Sequence, residues 1–290
     1  MVSTYFIHLL ILIGIYGILA VSLQLAVGFG GFLNLGHIAY YGIGAYTFTL
    51  LSKHEINFWL CLLLAGIFSA FFGWLLAAAV RKLKGDYLAL VTLGFSFVVY
   101  AVFQNWTWLT NGPLGISGIT RPNFLGFSTN NNNIYFILVF FIFLISYFFI
   151  YRVVTSPFGK VVEAVRDDEL SAKSLGKRTF KIKLITFSTS AFFAGVAGSL
   201  YASYITYIDP SSFTLAGIIP VILIVIIGGL GSFHGTLLAT FFIILLPEPL
   251  RFMGFSSSIV GPARQIIYAI ILLATLYYKP KGFYGKLDLE

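Results

Sequence analysis

Charge is scarce in this chain: of 290 residues only 10% are Asp, Glu, Lys or Arg, against about a quarter in an ordinary soluble domain. So few charges cannot cover a water-facing surface, which excludes a soluble globular protein of this length. Cysteine occurs once, at Cys61 inside an apolar run, so no disulfide or cysteine metal site can form within one chain, and the residue reads as small core filler. The four histidines, His8, His37, His54 and His234, never take the His-Glu-x-x-His spacing of a zinc site. No Gly-x-x-x-x-Gly-Lys-Ser/Thr loop is present. The nearest fragment, Leu175-Gly176-Lys177-Arg178, has neither the first glycine nor the hydroxyl, so the chain is not expected to hydrolyse ATP itself. Ionisable groups deep in apolar runs, the mark of proton relays, are nearly missing. Asp209, Glu248, Arg251 and Arg264 stand at the ends of such runs beside prolines or loops. No clustered acid, base, nucleophile and metal set suggests an enzyme, and no cofactor is implied.

What is abundant is apolar: 59% of the residues are hydrophobic and 18% aromatic. Residues 1–52, 56–80, 87–120, 122–151, 184–208 and 210–247 carry no Asp, Glu, Lys or Arg. A helical span needs about 20 largely apolar residues. The continuous run 134–151 is unlike the alternating strands of a membrane barrel. The expectation is an all-α integral membrane protein, a single domain over 1–290 with about 8–10 transmembrane helices. Helices are placed at 5–26, 36–52, 57–80, 86–105, 134–152, 182–204, 213–228, 232–247 and 263–278. Gly28, Gly30 and Gly31, and later Gly228, Gly229 and Gly231, suggest short or broken helices. The N-terminal stretch lacks the positive n-region of a cleaved signal and is read as a retained span.

The net charge of +8 could suggest nucleic acid, but the basic residues sit at the ends of apolar runs, where a membrane explains them better. They gather at Arg81, Lys82 and Lys84, between Arg152 and Lys183, and at Lys279, Lys281 and Lys286. The helix order places all three clusters on one side, which the positive-inside rule makes cytoplasmic, with the C-terminus there as well. Residues 106–133, rich in Gly, Pro and Asn, become an extracytoplasmic loop.

The segment 152–183 holds eight of the 18 basic residues and four of the ten acids. Ser156 can cap a helix whose first position is Pro157. Asp167 or Asp168 can cap a second, Glu169 suits its N-terminus, and Gly176 can end it. Two short amphipathic helices could plug a groove in a partner or pack on their own membrane domain, and the pattern leaves both open.

This segment, Gly159-Lys160-Val161-Val162-Glu163-Ala164-Val165-Arg166-Asp167-Asp168-Glu169-Leu170 and on to Gly176, resembles the cytoplasmic coupling loop of permease subunits of bacterial branched-chain amino acid ABC importers. The runs Gly36 to Tyr46, Asp86 to Leu93, Ala194 to Gly198, Gly228 to Ser232 and Lys279 to Gly285 resemble further segments of that family in order. The chain departs from the family's usual pattern at Lys160, Val165 and Asp168, where Arg, Ile and often Asn stand. The resemblance implies an M-type permease subunit moving branched-chain amino acids across a bacterial inner membrane by alternating access. Its partners would be ATP-binding cassette subunits, a second related permease and an extracytoplasmic solute-binding protein, with no nucleic acid. Gly159, Glu163, Ala164, Arg166, Glu169 and Gly176 would carry the ATPase contact, Gly159 and Gly176 by setting geometry. On that reading, charge reversal at Arg166 or Glu169 should weaken docking while insertion persists. Asn34, His37, Tyr40 and Tyr41 are candidates for the translocation pathway, with helix packing as the other reading. An ABC permease for urea, an amide or a sugar remains a competing expectation, as does an ion-coupled carrier or channel working alone.

Overall fold

In lipid the backbone has no hydrogen-bond partner but itself, and each long uncharged run becomes a helix. The computed structural model describes residues 2–83, 85–124, 127–249, 257–279 and 281–285. Lys84, Arg251 and Lys286 lie outside the described residues. The helices are α1 (Val2–Gln24), α2 (His37–Ser52), α3 (Phe58–Ala79), α4 (Gly85–Asn105), α5 (Thr107–Thr110), α6 (Asn132–Thr155), α7 (Pro157–Asp167), α8 (Glu169–Ser174), α9 (Thr179–Ile205), α10 (Leu215–Gly228), α11 (Phe233–Leu245) and α12 (Ser257–Tyr278). Among the described residues seven helices are long and apolar enough to cross a membrane, and the shorter α11 is apolar too. The protein is an all-α polytopic membrane protein.

Each helix expected from the sequence is present, with shifted ends. The largest shift is at α12, which starts at Ser257 and runs through Pro262, six residues before the expected start at 263. Residues 106–133 are more ordered than a plain loop. They hold α5, a 3₁₀ turn (Gly112–Leu114) and three two-residue strands, β1 (Ile116–Ser117), β2 (Asn123–Phe124) and β3 (Phe127–Ser128). β2 pairs with β3, and β1 pairs antiparallel with β4 (Tyr207–Ile208) beyond α9. Arg121 ties this end down, donating to the carbonyl of Tyr204 at 2.8 Å and to Oδ1 of Asn132 at 3.1 Å.

α9 is the central element, packed against α1, α2 and α3. In lipid, helices associate through close backbone approach rather than the hydrophobic effect, and glycine permits it. A Cβ on Gly44 of α2 would strike the backbone of Gly195 on α9; one on Gly195 would strike Ser69 of α3, and one on Gly198 the carbonyl of Tyr41. Interhelical hydrogen bonds run through the same region, from Ser69 Oγ to the Tyr40 carbonyl at 3.0 Å and from Ser190 Oγ to the Ser22 carbonyl at 2.6 Å.

Both expected helix breaks exist. α1 widens into a π turn (Leu25–Phe29), and after Gly31, at φ +68°, the chain is unwound until α2. The second break separates α10 from α11, with Gly229 and Gly231 at φ +96° and +76°. These are conformations that L side chains rarely adopt.

Candidate functional site

Two places carry the residues singled out by the sequence. The first is the α7–α8 hairpin, built as its capping signals foretell. The Ser156 hydroxyl accepts from the Gly159 amide at 3.4 Å, with Pro157 as the first helical residue. Asp168 Oδ1 accepts from the amides of Leu170 and Ser171 at 2.8 and 3.2 Å. Gly176, at φ +77°, closes α8: its amide donates to the Lys173 carbonyl and the Lys177 amide to that of Ala172, the paired bonds of a Schellman turn.

The hairpin lies where the basic clusters meet. A cleft of about 320 Å³ is lined by Leu83, Gly85 and Leu88 beside the first cluster and by Val165 to Leu170 of the hairpin. The segment after α12 crosses the same end, its Phe283 and Tyr284 amides donating to the carbonyls of Ile227 and Gly228. The clusters at Arg81, at 152–183 and after Tyr278 therefore share one end of the bundle, opposite the Arg121 loop.

The six hairpin residues do not face one way. Val162 and Val165 are buried against the membrane domain. Gly159 is buried as well, since a Cβ there would strike the Val154 carbonyl of α6. Ala164 and Gly176 are exposed. Glu163 pairs with Lys160 at 3.1 Å. The side chain of Glu169 is only 9% exposed, held by Lys183 at 2.9 Å, by Lys173 at 3.3 Å and by the Thr179 hydroxyl at 3.1 Å. Arg166, 17% exposed, pairs with Asp167 and donates from Nη1 to the Gly28 carbonyl at 3.1 Å. Both charges expected to reach outward are thus engaged within the chain. Leu170 and Leu175, by contrast, stand out at 68% and 79% exposure.

The second place is the start of α2. Asn34 and His37 are buried across the unwound segment, which Thr92 of α4 holds: its hydroxyl accepts from the Leu35 amide at 3.0 Å. The Ser22 hydroxyl donates to the Leu19 carbonyl at 2.8 Å and so accepts from His37 Nε2 at 2.9 Å. That leaves His37 Nδ1 an acceptor without a partner among the described residues. Both amide atoms of Asn34 and the hydroxyls of Tyr40 and Tyr41 are likewise unpaired there. Tyr40 lies one turn beyond His37, their rings 6.1 Å apart, against Phe95 of α4. Tyr41 points elsewhere, between Tyr201 and Phe213. The four form a trio and an outlier rather than one site. Gln24 was missed: fully buried, it donates from Nε2 to the Gly229 carbonyl at 2.8 Å, and its Oε1 has no partner among the described residues. The only signal in the sequence is an amide within an uncharged span.

The family model described as "Branched-chain amino acid transport system / permease component" matches residues 5–276. The high-affinity branched-chain amino acid transport system permease protein LivM of Escherichia coli (strain K12) is 36% identical over 97% of this chain and 70% of its own length. The probable branched-chain amino acid transport permease protein LivM of Methanocaldococcus jannaschii is 26% identical over 94% of this chain and 91% of its own length. The autoinducer 2 import system permease protein LsrC of Salmonella typhimurium is 26% identical over 63% of this chain and 52% of its own length. No solved structure matches.

Proposed function

The chain belongs to the permease-component family of branched-chain amino acid transport systems, and on that premise we propose that it is the membrane-spanning subunit of an ATP-driven importer of branched-chain amino acids. The observation that carries this reading is the 36% identity to the Escherichia coli permease along nearly the whole chain. The chain acts as one membrane domain that moves substrate by alternating access. A second related permease completes the pore, two ATP-binding subunits supply the energy, and a solute-binding protein delivers substrate at the far face. The positive-inside rule assigns the end bearing the basic clusters, the α7–α8 hairpin and the segment after α12 to the cytoplasm of a bacterial inner membrane.

On this reading the ATP-binding subunit meets the exposed side of the hairpin: Ala164, Leu170, Leu175 and Gly176, with Lys160 and Glu163 at the rim. Gly159 holds the hairpin against α6, and Arg166 and Glu169 brace it from behind. Asn34, His37 and Tyr40 contribute unpaired polar atoms to the translocation path at the first helix break, where unwound segments meet polar substrates in broken-helix transporters. Tyr41 joins them only through its position on α2.

Uptake of labelled leucine by proteoliposomes holding the chain, its neighbouring permease and ATP-binding subunits, with ATP inside and the binding protein outside, is the direct test. Uptake of autoinducer 2, urea or a sugar in place of leucine would reassign the substrate. Uptake by the chain alone on an ion gradient without ATP would overturn the importer reading. Aspartate at both Leu170 and Leu175 should leave the chain in the membrane. Burying a leucine is worth about 1.5–3 kcal/mol, so co-purified ATP-binding subunit should fall at least about tenfold. Undiminished recovery would contradict the docking face.

A further inference from the structure

At the basic end the two helix breaks touch each other. A Cβ on Gly28 would come within 2.7 Å of the Gly231 amide nitrogen and 2.8 Å of Gln24 Cδ. Gln24 Nε2 spans the gap, donating to the Gly229 carbonyl at 2.8 Å and to that of Ser232 at 3.4 Å. Phe29 packs against Phe233 with ring centroids 4.8 Å apart and the planes tilted by 33°. Arg166 enters this junction from α7. Its stem lies over Gly31, where a Cβ would sit 2.5 Å from Arg166 Cγ. Its Nη1 donates to the Gly28 carbonyl and lies 4.0 Å from where a Cβ on Gly231 would be. Asp167 holds the other edge of the guanidinium through Nε and Nη2, both at 2.8 Å.

One line of polar contacts therefore runs from α7 through Arg166 to the first break, and through Gln24 to the second. We propose that Arg166 is a positioning residue for transport: it converts displacement of the α7–α8 hairpin into movement of the paired helix breaks that close the basic end of the bundle. The proposal rests on the reading that ATP-binding subunits meet this hairpin. A π turn suits the role, because it is a local departure from α geometry of a kind frequent at functional sites, and here its Gly28 carbonyl accepts from Arg166. The guanidinium suits it too, since its fork can hold a carboxylate and a carbonyl at once, which an ammonium cannot do in one plane. A hairpin tied down by apolar contacts alone could slide over the breaks without moving them.

The test is the number of leucine molecules imported per ATP hydrolysed, measured on the same proteoliposomes of the complete importer. Arg166→Gln should keep the ATP-binding subunits bound and hydrolysis within about twofold of the parent, while the ratio falls roughly tenfold, the scale of a lost charged hydrogen bond. Arg166→Lys, which keeps the charge but not the planar fork, should recover part of it. Asp167→Asn, at an exposed position, releases the guanidinium's other anchor and serves where Arg166→Gln fails to insert; there the ratio should fall about threefold. An unchanged ratio in either Arg166→Gln or Asp167→Asn overturns the proposal. Failure of the parent chain to bind ATP-binding subunits would instead strike the importer reading, and co-purification reports that separately.

Discussion

Glu169→Lys is expected to remove most of the folded protein from the membrane fraction. The Glu169 carboxylate, at 9% exposure, faces Lys183, itself at 12%, across 2.9 Å, with Lys173 and the Thr179 hydroxyl on its other sides. Taking one partner from a buried pair costs about 3–5 kcal/mol, because the remaining charge is left desolvated and unpaired. Lys183 would keep its contact with the Phe32 ring, 5.7 Å from its centre, but a cation–π contact returns only about 0.5–2 kcal/mol. A lysine at 169 adds a third cation to the cluster. The sequence reading expected insertion to persist after this change, with only docking lost; the burial of the pair reverses that order. Thermal unfolding in detergent, read by fluorescence size-exclusion chromatography, measures the loss. Glu169→Gln should be milder, since the amide oxygen still accepts. Exchange of charges, Glu169→Lys with Lys183→Glu, should restore part of the stability. A melting midpoint for Glu169→Lys equal to that of the parent would contradict the account.

Gly198→Leu is the second change with a large expected effect. The obstacle to a side chain at Gly198 is the Tyr41 carbonyl and the Ala45 amide, the latter 3.0 Å from an added Cβ. Both belong to the backbone of α2, which cannot rotate aside as a side chain can. Overpacking a core costs about 1–3 kcal/mol where neighbours can yield, and where they cannot the helices must separate, so a loss of at least about 3 kcal/mol is expected. Separation of α2 from α9 would also carry His37, Tyr40 and Tyr41 away from their neighbours, so transport should be lost along with stability. Gly94→Ala is the control: a Cβ there meets nothing within 4 Å, and replacing glycine inside a helix should then stabilise by up to about 1 kcal/mol. Equal melting behaviour of the two variants would mean that the α2–α9 crossing is looser than the structure makes it.

Much of the architecture was legible because lipid makes the rules strict. Uncharged runs became helices, glycine groups marked both breaks, and Ser156, Pro157, Asp168 and Gly176 marked the ends of the hairpin helices. What could not be read depends on contacts distant in sequence. The pairing of Ile116 with Ile208 joins strands of two residues each, too short to show any alternation. The inward turn of Arg166 depends on Gly31, a residue with no side chain, lying across its path. Gln24 was silent because a search for charged residues in the apolar runs passes over a neutral amide. The pathway candidates were chosen as neighbours along one stretch, yet successive residues on a helix point about 100° apart, and Tyr40 and Tyr41 accordingly face different helices.

The π turn from Leu25 to Phe29 has a consequence for chain length. Its Leu25 carbonyl is reached by the Gly30 amide, five residues on, so this turn holds one residue more than an α turn would. Deleting Ala26 would let α1 continue as regular helix with the residues after it held in place, because the extra residue is absorbed within the turn. A deletion in the regular part of α1 has no such outlet: it would rotate everything after it by roughly 100° and draw it back about 1.5 Å, carrying the Gly28 carbonyl away from α7 and the Gly31 backbone out from beneath the arginine stem. The turn is therefore where α1 can lose a residue while the hairpin and the breaks keep a shared register.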